Sequence, residues 1–315
     1  MTSNPANPNN PINPNNPINP INPINPINPI NPSASRTSST SSTPSTLQPL
    51  RIAIAGLGAI GRSIARTLAA GGVPGAVLAS VSAKNLDRAR EFVSTLPVTA
   101  AVLPISELEP SADLVVECAP GALLPQIVGP FLRAKKQAVV LSVGALLSNP
   151  DLIDQAREQG GTLLVPTGAL IGLDAVIAAA EGTIHSVTMV TRKPPNGLAG
   201  APYLVDNQIE VDGLTEPKCI FKGTAREAAR GFPANVNVVA ALSLAGIGPD
   251  RTTMEIWADP TVTRNVHSIE VDSDSARFRM TMENIPSDNP KTGRIVAQSV
   301  VALLRKMNAN FRVGT

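Results

Sequence analysis

Aromatic rings, cysteines, histidines and net charge are all scarce in this chain, and each shortage removes a class of function. Only 3% of its 315 residues are aromatic, too few for a surface on which bases stack. The two cysteines, Cys118 and Cys219, cannot make a disulfide framework and point to a reducing, cytoplasmic setting. Neither has a Cys or His at metal-ligand spacing, so no metal site is expected. A net charge of +2 is too small for an electrostatic grip on nucleic acid or acidic lipid. Gly, Pro or a charge interrupts every apolar run well short of the roughly 18 residues of a membrane span, so none is expected. The length fits about two ordinary domains with cores of their own.

Charge is also missing from one end. The first 49 residues carry a single charged side chain, Arg36, and the first acid is Asp87. Prolines recur every third residue from Pro5 to Pro32, each preceded by Asn, and Ile fills most of the third positions. Proline fixes φ and biases its predecessor toward extended geometry, so helix is blocked here. The period of three suits polyproline II, although Asn-Pro also favours turns. The Ser/Thr-rich stretch from Ser33 to Leu47 reads as a flexible linker. Residues 1–49 are therefore expected to be a disordered tail. It is either a spacer or docking ligand for a partner, or low-complexity sequence without a role. A transit peptide would need several arginines on an amphipathic helix.

From Leu50 the texture changes. Arg51-Ile-Ala-Ile-Ala55 is a short apolar run, as in a strand buried on both faces, and leads into Gly56-Leu-Gly-Ala-Ile-Gly61 and a helix-compatible stretch from Arg62 to Ala70. That is the strand–turn–helix context in which GxGxxG binds a dinucleotide. Gly56 permits the turn, Gly58 lets a pyrophosphate approach the backbone, and Gly61 lets helix pack on strand. With Ala59 and Ile60 between them, these residues present helix N–H groups to phosphate. Strands are expected over 77–81, 113–118, 138–143 and 162–165, with helices over 121–136 and 151–159. Alternating strands and helices imply a doubly wound parallel sheet over residues 50–181, with ligands beyond the strands' carboxyl ends. Ser142 to Ala145 and Pro166 to Ala169 occupy such ends. At the tip of the second strand, Ser82-Ala-Lys-Asn85 holds no acid to repel a ribose 2′-phosphate, and Lys84 or Arg88 could pair with one. NADP is thus expected to be accepted alongside NAD, unless both cations are simply solvated charges at a helix start.

Residues 182–294 read as an α+β domain with strands over 186–191, 253–257, 266–271 and 277–282 and a helix over 236–245. A last helix, within 295–315, could return to the first domain. His185 opens a strand and reads as structural, whereas His267 in Asn265-Val-His-Ser-Ile-Glu270 is either a general acid/base or a surface strand histidine. Arg192, Lys193 and Lys291, beside prolines, are candidates for a substrate carboxylate. Asn235 and Asn237 stand at a helix start, as caps or as partners for a carboxamide.

Taken together, these segments resemble the L-aspartate dehydrogenase family. The motifs that carry the likeness run in order over about residues 51–315: Gly56 to Gly61, Ser142 to Ala145, Gly168-Ala169 with Gly172-Leu-Asp174, Thr191-Arg-Lys-Pro194, and Ala225 to Ala229. They continue through Pro233 to Asn237, Leu242 to Gly246, Ala258-Asp-Pro260, Asn265-Val-His267 and Asn289-Pro-Lys-Thr292. The resemblance implies a Rossmann domain, a second α/β domain that forms a homodimer, and oxidation of L-aspartate by NAD or NADP. It places the active-site histidine on His267 and cofactor contacts on Ala169 and Asn237, besides the glycine loop. Gly293 departs from it, since Ser is expected there. The rival readings are another Rossmann-type imine or semialdehyde reductase, or a non-catalytic NAD(P) sensor.

Overall fold

The computed structural model describes residues 48–233, 236–287 and 293–314. The Asn-Pro repeat, the Ser/Thr linker up to Leu47, Asn235 and Lys291 lie outside the described residues. Two sheets organise the rest.

The first contains β1 (Leu50–Ala55), β2 (Ala76–Ser82), β3 (Ala101–Val102), β4 (Leu114–Glu117), β5 (Gln137–Val140) and β6 (Thr162–Leu164). Its order is β3-β2-β1-β4-β5-β6 with every pair parallel. Parallel neighbours need crossovers, supplied by α1 (Ala59–Ala69), α2 (Leu86–Ser94), α3 (Leu108–Ser111), α4 (Leu124–Arg133), α5 (Val143–Leu146) and α6 (Asp151–Gln159). Helices on both faces explain why β1 and β4 carry unbroken apolar runs: Ile52 to Ala55 and Leu114 to Val116 are fully buried. The strand order reverses between β1 and β4, which opens a crevice at their carboxyl ends. This is a Rossmann domain.

Some expected elements are shorter than their apolar patterns. The strand read over 138–143 stops at Val140, because the N–H groups of Leu141 and Ser142 turn to donate to Glu117 Oε2 at 3.2 and 2.8 Å. The helix read over 121–136 is a 3₁₀ turn, Gly121–Leu123, followed by α4, which carries Pro130 inside it.

The second sheet contains β7 (Ile184–Lys193), β8 (Lys218–Thr224), β9 (Thr252–Ala258), β10 (Val266–Ser273) and β11 (Arg277–Glu283), in the order β11-β10-β7-β9-β8. It is mixed, since β7 and β9 run parallel and the other pairs antiparallel. Side chains alternate faces along each strand. On β10, His267, Ile269 and Val271 are buried while Ser268 and Glu270 stay half-exposed. Around this sheet lie α7 (Leu173–Ala180), α8 (Pro202–Asp206), α9 (Ala225–Gly231), α10 (Asn237–Ala245) and α11 (Ile295–Asn308). Helix α10 buries Val239 to Ser243 in succession because it is wedged among β9, α5 and α7. Helix α11 packs on α1 with Ala297, Val300 and Leu304, and Arg305 Nε donates to the Gly72 carbonyl at 2.7 Å.

Candidate active site

The glycine loop leaves β1 with Gly56 at φ +107°, a conformation that side chains rarely adopt. A Cβ there would stand 2.5 Å from the Cys118 carbonyl oxygen, and one at Gly61 would stand 1.9 Å from the Gly56 carbonyl. Gly58 is different: a Cβ would meet nothing within 4 Å, so its missing side chain leaves open space before α1. No side chain caps α1 and no acid sits in its first turn, which leaves the positive end of the helix to an anion. Ala59 is the first residue of α1, and Ile60, the next, reaches the cavity described below. A groove of about 1120 Å³ runs from this loop past the tip of β2. Its described lining includes Arg62, Lys84, Arg88 and Arg133 and no acid. These features fit a dinucleotide phosphate chain.

Cys118 and Ala119 line this groove and also a second cavity, of about 210 Å³. The loops beyond β5 and β6 form one wall of it through Ser142, Val143 and Pro166 to Ala169. Glu117 holds the first of these loops. Its fully buried carboxylate accepts from the N–H groups of Ala119, Leu141 and Ser142 and from the Ser142 hydroxyl. Burial pushes its proton affinity above the usual carboxylate range, while those four donors pull the other way. Across the cavity Asn237 Oδ1 accepts from Gly144 N–H at 3.0 Å, an approach that a Cβ at residue 144 would crowd, at 3.2 Å from that oxygen.

The opposite wall is set by strand register. His267 on β10 pairs directly with Thr191 on β7, so the two side chains share a face, and Lys193 follows two residues on. Thr191 Oγ1 lies 3.1 Å from His267 Nδ1. His267 is 3% exposed and Lys193 4%, and both line the cavity. Burial first, and then the Lys193 charge, hold the His267 pKa down at about 3, so the imidazole is neutral at physiological pH. Arg192, between them in sequence, faces the other side of the sheet. It pairs with the buried Asp259 at 3.0 Å and lies over the Trp257 ring. Asp259 is desolvated, yet Thr261 and Arg192 hold its carboxyl below the usual range. Arg192 is thereby removed as a carboxylate candidate for this cavity.

The family description "Aspartate dehydrogenase, C-terminal" matches residues 174–307, and "Homoserine dehydrogenase, NAD binding domain" matches residues 56–166. An L-aspartate dehydrogenase of Bordetella bronchiseptica is 59% identical over 85% of this chain and 98% of its own length. One from Bradyrhizobium diazoefficiens is 60% identical over 84% of this chain and 94% of its own. The chain belongs to the L-aspartate dehydrogenase family. It is an oxidoreductase with an NAD(P)-binding first domain. The crystal structure of aspartate dehydrogenase from Thermotoga maritima has the same fold, with a TM-score of 0.66 at 20% identity over 84% of this chain and 99% of that one.

Among the residues singled out from sequence, His267, Ala169, Asn237 and Ile60 line the cavity, and Gly56 and Gly58 line the groove. Ala59 and Gly61 line neither. His185 is exposed at the start of β7. Sequence reasoning missed Glu117, although an acid inside the run Leu114-Val-Val-Glu117 is itself a signal, because a buried charge needs partners. It also missed Thr191 and Asn284, whose roles depend on pairings that no local pattern carries.

Proposed function

We propose that this chain oxidises L-aspartate at its CH–NH2 carbon with NAD or NADP, giving iminoaspartate that hydrolyses to oxaloacetate and ammonia, or runs the reverse reductive amination. The observation that carries this reading is the cavity in which His267 and Lys193 face the loops beyond β5 and β6, continuous through Cys118 and Ala119 with the glycine groove. When bound, NAD(P) supplies the hydride acceptor. The loop from Gly56 to Gly61 would hold its phosphates, and Asn237 its carboxamide, with Oδ1 already committed to Gly144 and Nδ2 left to donate.

The chain's own side chains do the rest. Lys193 pairs with a substrate carboxylate, and that anion offsets the Lys193 share of the depression of His267, which burial chiefly causes. His267 then takes the proton from the substrate amine, or from the water that attacks the imine. A base at Nε2 requires the ring proton on Nδ1, which Thr191 Oγ1 is placed to accept. Positioning in a desolvated cavity supplies much of the rate. In the groove, four cations and no described acid favour acceptance of a 2′-phosphate beside NAD. Both cysteines are free thiols, in keeping with a cytoplasmic enzyme. A homodimer would cover the outer face of the second sheet, where Val190, Trp257 and Ser268 are half-buried.

The test is NAD(P)H formation by the purified protein with L-aspartate, against D-aspartate, L-glutamate and L-homoserine. Turnover confined to L-aspartate is expected. Turnover with another of these substrates and not with L-aspartate would move the assignment to another reductase, and NAD(P)H binding without any turnover would move it to a sensor.

A further inference from the structure

We propose that Asn284 holds the substrate's amino nitrogen, accepting one of its N–H groups at Oδ1, and this rests on the reading of the cavity given above. Asn284 follows β11 directly, is 4% exposed, and lines the same cavity as His267, Lys193 and Gly293. Its position is pinned twice. The backbone N–H donates to the Asn265 carbonyl at 2.9 Å, and Nδ2 donates to the Ala169 carbonyl at 3.2 Å. The second bond also sets the amide's orientation, because a flipped amide would set oxygen against oxygen. Oδ1 is left buried with no donor among the described residues.

A buried acceptor without a donor is costly, and native structures keep few of them. On the same wall the Ser142 hydroxyl donates to Glu117 and to the Ala119 carbonyl, and Asn237 Oδ1 is engaged by the Gly144 N–H. His267 Nδ1 meets Thr191, and Lys193 carries donors only. A substrate whose reacting carbon carries an amine brings N–H groups that need acceptors, and Asn284 Oδ1 is one that two other bonds of the same residue hold in place. Residue 293 bears on the same oxygen. A Cβ built there would stand 2.8 Å from Oδ1 and 3.3 Å from the Asn284 Cβ. Glycine, where serine was expected, keeps that oxygen clear of a competing hydroxyl.

The experiment compares binding of L-aspartate and succinate to the full chain loaded with NAD(P)H, in which no turnover occurs. Succinate has both carboxylates and no nitrogen. Wild type is expected to bind both. Asn284→Ala should weaken L-aspartate about tenfold or more, the worth of a hydrogen bond to a charged group, and leave succinate within about twofold. Asn284→Leu, which keeps the side-chain volume and has no acceptor, should show the same selective loss and covers the case in which Asn284→Ala does not fold. Equal weakening of both ligands, or no change in either, overturns the assignment. So does a selective rise in the NAD(P)H dissociation constant, which would give the oxygen to the cofactor's carboxamide. If wild type binds neither ligand, the underlying reading of the cavity has failed instead.

Discussion

From Gly56 to Gly61 consecutive residues make a cradle almost wholly from backbone, whereas the cavity beyond Cys118 and Ala119 is made from side chains far apart in sequence. Thr191 and His267 are 76 residues apart, Gly144 and Asn237 93, and Ala169 and Asn284 115. The cradle depends on the absence of atoms at a few positions. The cavity depends on two antiparallel ladders keeping register, because a slip of one residue on β10 would put His267 on the outer face of the sheet. A binding site written in local backbone geometry survives changes elsewhere in the chain; one written in register fails with its sheet.

The largest effect expected from breaking this contrast is at the glycines. Gly61→Ala places a methyl group 1.9 Å from a backbone oxygen, so the turn must open and folding yield or melting temperature should fall, by about 3 kcal/mol or more of stability. Gly58→Ala meets no atom within 4 Å. It should melt within about 0.5 kcal/mol of wild type while its NAD(P)H dissociation constant rises, which denaturation and fluorescence titration would show. Equal behaviour of the two would mean that the loop is packing rather than cradle.

Lys193→Met is next. It should raise KM for L-aspartate by about 30-fold or more, from loss of a buried charge pair, and leave NAD(P)H binding unchanged. A parallel loss of cofactor affinity would merge the two regions. A smaller effect comes from acid. His267 has a folded pKa of about 3 against an ordinary value of 6.5, so between those limits the unfolded chain binds more protons than the folded one. Stability contributed by the neutral imidazole is present above pH 6.5 and falls toward pH 3, by at most about 1.4 kcal/mol per pH unit. Denaturant unfolding of His267→Gln should lose that slope. The smallest effect is at the rim of the groove. Lys84→Ala should lower the NADP:NAD ratio of kcat/KM by about fivefold, in a salt-dependent way, as for other exposed ion pairs.

The same contrast explains what could be read from sequence. The Gly56–Gly61 turn, the parallel order of the first sheet and the loops after β5 and β6 follow from contiguous patterns. Alternation along β10 marks which residues share a face with His267 but not which strand lies opposite. β8 went unread because Lys218 and Lys222 flank a short apolar core that a register shift between Cys219 and Phe221 interrupts. Glu117 looks like the end of a strand until Leu141 and Ser142 are seen to turn their N–H groups toward it. Asn284 is a single amide after an alternating strand, and its unanswered oxygen exists only in three dimensions.

The most direct test of the separation between cradle and cavity is His267→Ala, with NAD(P)H affinity and L-aspartate turnover measured on the same preparation. The account predicts an unchanged dissociation constant and a kcat lower by about 10²- to 10⁴-fold. Turnover near the wild-type rate, or a cofactor affinity that falls together with kcat, would contradict it.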